Sequence, residues 1–215
     1  MDRRHAIKNI GLTMGFVAAT PTIMSLLQSC QNETIQWVPE FFSEDEGLVI
    51  SRLVDTILPK TDDTPGASEV NVPQFIDLFA KEVMKPQEQE LMKKAMNVFI
   101  NKALTESGKT EPAKLKEKDL EPILASSLKI SKEKEEAINK KLEAFVEASE
   151  AGTDASVDDD VLIFTFLNSI RGLSIWGYKT SEIIGEQVLA YEPVPGRQQG
   201  CVDLDEATGG KAWSL

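Results

Sequence analysis

Past residue 43 the apolar residues recur at three- and four-residue spacing, and the two-residue alternation of a half-buried strand is scarce. Helical backbone brings positions three and four apart onto one face, whereas strand side chains alternate between faces. The pattern predicts an all-α fold, a single compact multi-helix domain. Ser43-Glu44-Asp45-Glu46 is a capping box, followed by Leu48, Val49, Arg52, Leu53, Thr56 and Ile57 on one stripe, with Pro59 ending the helix. A polar, turn-rich stretch over 60–71 precedes a second helix with Pro73 in its first turn, and Pro86 opens a third that Ser107-Gly108 stops.

Lys109 to Lys118 carries charge and Pro112, so it reads as a connector before a short helical piece around 120–128. Ser131 caps a helix with Ile138, Leu142, Phe145 and Val146 as its apolar stripe. Asp158, Asp159 and Asp160 then precede Val161 to Leu167, the most apolar run after the leader, which is expected to form the central helix. Three carboxylates at that start complement the helix dipole. The segment from Tyr191 to Cys201, with two prolines and two glycines, is expected to be an extended, non-helical tail.

The leader sets the destination. Arg3 and Arg4, within Asp2-Arg3-Arg4-His5-Ala6-Ile7-Lys8, approximate a twin-arginine export signal. The stretch from Ile10 to Leu27 is broken by Gly11, Gly15 and Pro21 and is too polar for a membrane-spanning helix, so it reads as a cleaved signal segment. Leu27-Gln28-Ser29-Cys30 resembles a lipobox, which makes Cys30 a lipidation candidate. The expected organisation is a signal peptide over 1–29, a tether over 30–42, a helical domain over 43–190 and a docking tail over 191–215. The product is expected to be exported, to the periplasm or a membrane surface.

Cleavage after residue 29 removes Arg3, Arg4, Lys8 and Asp2, so the net charge of −12 becomes −14. A surface this acidic repels nucleic-acid phosphates and anionic headgroups, leaving membrane attachment to the lipid on Cys30. His5 is the only histidine and leaves with the signal, which excludes Ser/His/Asp and Cys/His nucleophiles, histidine metal ligands and haem attachment through CxxCH. Cys201 then stands alone, without a disulfide or thiolate cluster, and reads as a small packed residue. No glycine-rich phosphate loop follows a strand-like run, so no cofactor is expected in this chain.

Two places look chosen for more than packing. One is Leu58-Pro59-Lys60-Thr61-Asp62-Asp63-Thr64-Pro65-Gly66-Ala67. The other is the region from Arg171, where Gly172, Ser174, Gly177 and Gly185 stand beside Trp176 and Tyr178, followed by the tail to Trp213. Small residues beside large aromatics permit close backbone approach and flat contacts. With the leader, Val72-Pro73-Gln74-Phe75-Ile76-Asp77 and Gly177-Tyr178, these residues resemble the small, subunit 3 family of gluconate 2-dehydrogenase in its exported, Bacteroidetes-type form.

The resemblance implies a non-catalytic helical subunit bound to a flavoprotein of the glucose-methanol-choline class. FAD would sit in that large subunit, and haem c in a possible third, cytochrome c subunit. Candidate interface residues are Thr61, Pro65, Gly66, Trp176, Tyr178, Tyr191, Arg197 and Trp213, each aromatic having ordinary core burial as its alternative. Two other classes stay open. One is a carboxylate enzyme drawing a pair from Asp62, Asp63, Asp158 or Asp160. The other is a free-standing lipoprotein binding carbohydrate through Trp176 and Tyr178.

Overall fold

The computed structural model describes residues 37–153, 156–194, 196 and 200–214. Arg3, Arg4, Cys30 and Arg197 lie outside the described residues. Among those described are seven α-helices: α1 (Glu44–Ile57), α2 (Val72–Glu82), α3 (Pro86–Ser107), α4 (Glu117–Leu128), α5 (Lys132–Glu150), α6 (Asp159–Lys179) and α7 (Leu204–Thr208). The only β contact among them is one isolated bridge, between Ala190 and Trp213. The protein is all-α.

Local chemistry sets the boundaries. Ser43 Oγ accepts from Glu46 N–H, and Glu46 Oε2 accepts from Ser43 N–H at 2.8 Å, closing the capping box of α1. Asn71 takes the left-handed conformation at φ 61°, turning the chain into α2 with Pro73 in the first turn. Gly108 terminates α3 at φ 67°, where a side chain would be strained. The connector is shorter than its sequence suggests. It holds a 3₁₀ turn over Pro112–Lys114, and α4 begins at Glu117 because Asp119 reaches back to the Lys116 N–H at 2.7 Å.

Helix α6 is the axis of the domain, and α1 to α5 all pack against it. Val161, Leu162, Ile163, Phe164, Phe166, Leu167 and Ile170 are buried along it. Of these, Leu162, Ile163, Phe166, Leu167 and Ile170 join Val49, Ile50, Leu53 and Val54 of α1, Ile76 of α2 and Met96 and Phe99 of α3 in one core. The Phe99 and Phe166 rings lie 5.3 Å apart, tilted by 37°. Each such buried side chain contributes about 1.5–3 kcal/mol through removal from water. By contrast α5 has no fully buried residue. Its predicted stripe is only half-covered, so this helix lies at the margin of the core.

The C-terminal segment departs from the extended form expected of it. Residues 191–194 and 200–203 are non-helical, but Asp203 Oδ1 accepts from the Asp205 and Glu206 N–H groups and starts α7. Gly209 and Gly210, at φ 63° and 78°, then turn the chain back toward Ala190. A short capped helix and two left-handed glycines make the segment a returning loop.

Candidate interaction site

The loop between α1 and α2 is built by its own short side chains. Thr61 Oγ1 lies 2.9 Å from Thr64 Oγ1 and accepts from the Thr64 N–H, while the Thr61 N–H donates to the Thr64 carbonyl. Asp62 and Asp63 are exposed at the apex of this turn. Glu69 clamps its far side, accepting from the Gly66 N–H at 2.9 Å and pairing with Lys60 at 2.6 Å. The Lys60 hydrogen bond and the Gly66 N–H hold the Glu69 carboxyl below its ordinary value. Gly66 is buried, and a Cβ there would sit 3.2 Å from the Lys60 nitrogen. Gly66 is therefore used within the chain.

The two places singled out in the sequence meet. Tyr178 Oη donates to the Pro65 carbonyl at 2.7 Å, fastening the end of α6 to the loop. One residue earlier, Gly177 lets α6 close on α2, since a Cβ would stand 2.5 Å from Phe75 Cδ1. Trp176 is turned outward, 47 % exposed. Its ring meets Phe75 and Phe79 edge-on, with centroids 5.2 and 5.5 Å apart. Phe79 also borders an open groove of about 340 Å³ between α2, α3 and α6, walled by Val83, Met84 and Leu91 and floored by Thr165 and Ser169. Trp176, Phe79 and this groove place apolar surface on the outside of the domain, beside exposed Leu78 and Val83.

The geometry sorts the candidate residues. Thr61, Trp176, Tyr191 and Trp213 are exposed, Pro65 and Tyr178 are half-buried and Gly66 is buried. Residues 44–196 match the model of the family described as gluconate 2-dehydrogenase subunit 3. The chain belongs to the gluconate 2-dehydrogenase subunit 3 family. No match was found among curated proteins or among solved structures. The subunit 3 match runs from the first residue of α1 through α6 and into the returning loop, so it contains the Thr61–Gly66 loop, Trp176, Tyr178 and Tyr191. Trp213 stands beyond it.

Two features of this subunit 3 chain were missed in the sequence. Asp77 is buried in α2, and its carboxylate accepts from the N–H groups of Glu40 (2.7 Å), Phe41 (3.1 Å) and Phe42 (2.9 Å). Lys81, one turn on, pairs with Glu40. These bonds dock the chain entering the domain on α2. An aspartate between apolar neighbours was the available signal. Cys201 is also placed differently: it is exposed in the returning loop.

The carboxylates do not converge in this subunit 3 fold. Asp158 and Asp160 stand at the start of α6, where Asp158 pairs with Lys141 at 2.6 Å and Asp160 lies 3.6 Å from Lys102. Asp158 makes no side-chain cap bond. Asp62 and Asp63 belong to the loop that Tyr178 holds at the other end of α6, and the helix rises roughly 27 Å between Asp160 and Tyr178 at about 1.5 Å per residue. A pair with one carboxylate at each end of α6 is therefore far beyond the roughly 5–10 Å a glycosidase needs. Among the described residues no group of three or more His, Cys, Asp or Glu is placed to hold a metal ion.

Proposed function

We propose that this chain is the non-catalytic small subunit of an exported, flavin-dependent sugar or polyol dehydrogenase. The observation that carries the reading, with family membership behind it, is Trp176. An indole held edge-on by Phe75 and Phe79, half in solvent and beside an apolar groove, has the form of an anchor for another protein. The partner is a glucose-methanol-choline-type flavoprotein that carries FAD, with a cytochrome c subunit as a possible third member. Arg3 and Arg4 supply the twin-arginine signal that exports the folded pair, and acylated Cys30 tethers it to the envelope. Thr61, Tyr191, Arg197 and Trp213 extend the contact.

Carbohydrate binding through Trp176 and Tyr178 is less favoured where it would use the Tyr178 hydroxyl as a donor. That hydroxyl is engaged with Pro65.

The test is a pull-down from solubilised membranes with the full chain as bait, read by mass spectrometry and flavin absorbance. Co-purification of a large yellow flavoprotein that is lost on Trp176→Asp supports the reading. Recovery of the chain alone, without flavin, overturns it.

A further inference from the structure

The chain leaves the helical body at residue 190 and comes back to the same point. Ala190 donates its N–H to the Ala212 carbonyl and accepts from the Ser214 N–H, both at 2.9 Å, in a parallel bridge that pairs Ala190 with Trp213. Beside this neck the chain makes a π-helical turn, Ile184–Val188, in which Gly185 is buried. A Cβ on Gly185 would stand 3.0 Å from Ser214 Oγ, so the glycine admits the returning segment. Side chains alternate across extended backbone. With Ser214 turned onto the π-helical turn, Trp213 faces away from it and is 49 % exposed.

The neck cinches a loop whose large apolar side chains, among the described residues, are exposed. Tyr191, Val194, Val202 and Leu204 are exposed in it, and α7 is a single turn. Glu192, Asp203, Asp205 and Glu206 are exposed among them, against Lys211 as the only cation among the loop's described residues. A second copy of a chain with net charge −12 would set like charges against this surface. A complementary surface carries lysine or arginine around an apolar pocket.

We infer that the cinched loop docks on the dehydrogenase subunit, with Trp213 entering an apolar pocket rimmed by basic side chains; the inference rests on the subunit reading above. A tryptophan filling a desolvated pocket carries a large share of an interface's affinity, while rim charges set the association rate and its salt dependence.

The test uses the full chain immobilised against the purified flavoprotein recovered with it. Trp213→Ala is expected to raise Kd about 30-fold, as for an interface hot spot. Gly185→Val alters no exposed residue but evicts Ser214, and is expected to weaken binding in the same direction with helical circular dichroism unchanged. Glu192→Lys with Glu206→Lys is expected to slow association and flatten its salt dependence. If the wild-type chain binds and both Trp213→Ala and Glu192→Lys/Glu206→Lys bind equally well, the inference is overturned while the subunit reading stands. Failure of the wild-type chain to bind any flavoprotein removes both. Conversion of a wild-type dimer to monomer by Trp213→Ala, with flavoprotein affinity unchanged, would show a second copy as the occupant and also overturn it.

Discussion

The Tyr178 hydroxyl donates to the Pro65 carbonyl at 2.7 Å across 113 residues of chain, and so couples the end of the central helix to the loop after α1. Tyr178→Phe keeps the ring and removes the donor, leaving a half-buried carbonyl unpaired. The expected loss is about 1 kcal/mol of stability, with faster protease cleavage over 61–66. Thermal unfolding and limited proteolysis measure both; unchanged cleavage would mean that the loop is held by its own turn alone.

Gly177 lets α6 pack directly on Phe75 of α2. Gly177→Ala drives a methyl into Phe75 and displaces the ring that supports Trp176. Overpacking of this kind costs about 1–3 kcal/mol. Urea unfolding should show a lowered midpoint, partly recovered by Phe75→Leu in the same chain. A stability equal to wild type would contradict the contact.

Asp77→Asn tests the docking of the entering segment. The amide retains one acceptor oxygen and turns an NH₂ group toward backbone donors that need acceptors, costing about 3 kcal/mol. Hydrogen exchange should quicken at the amides of Glu40, Phe41 and Phe42 more than in α3. Uniform quickening across the domain would show that Asp77 supports the core rather than that segment.

Acid should weaken the fold through two ion pairs. Burial acts to raise the Glu46 carboxyl, but the hydrogen bond from Lys93 at 2.7 Å and the Ser43 N–H outweigh it and hold Glu46 below its ordinary 4.5. Burial is likewise outweighed at Asp119, where Lys109 and the Lys116 N–H hold the carboxyl below 3.8. The folded state then binds fewer protons than the unfolded chain. The stability these groups contribute is present above their ordinary values and lost as pH falls through the lowered ones. Urea unfolding from about pH 6 to about pH 3 should show this loss, smaller in Glu46→Gln. Parallel acid limbs in both proteins would refute Glu46 as a contributor.

Local signals identified most of the helices. Ser43 with Glu46, Pro73, Pro86, Gly108 and Ser131 mark ends that the structure places where the sequence does, because a cap or a stop acts within four residues of itself. The misplaced features either lack the usual capping residue or depend on distant chain. The start of α4 moved because Asp119 bonds backward to Lys116, a box without the usual serine or threonine. The prolines of the tail signal extended chain, while its return depends on Gly185 admitting Ser214. A lone cysteine such as Cys201 signals packing, but it is exposed, since composition cannot show which segments a loop leaves uncovered.

The sequence by itself determined that this protein is helical, where its principal caps lie, that Val161 to Leu167 forms the central helix and which family it resembles. Those properties rest on periodicity, capping chemistry and short motifs, all local. The tertiary structure alone decided that Tyr178 turns to Pro65 while Trp176 faces solvent, that Gly177 exists for Phe75, that Asp77 receives the entering chain and that Trp213 points outward from a cinched loop. Adjacent residues of one helix face different neighbours, and only the packing of segments tens of residues apart selects which side chain is consumed within the fold and which is left for a partner.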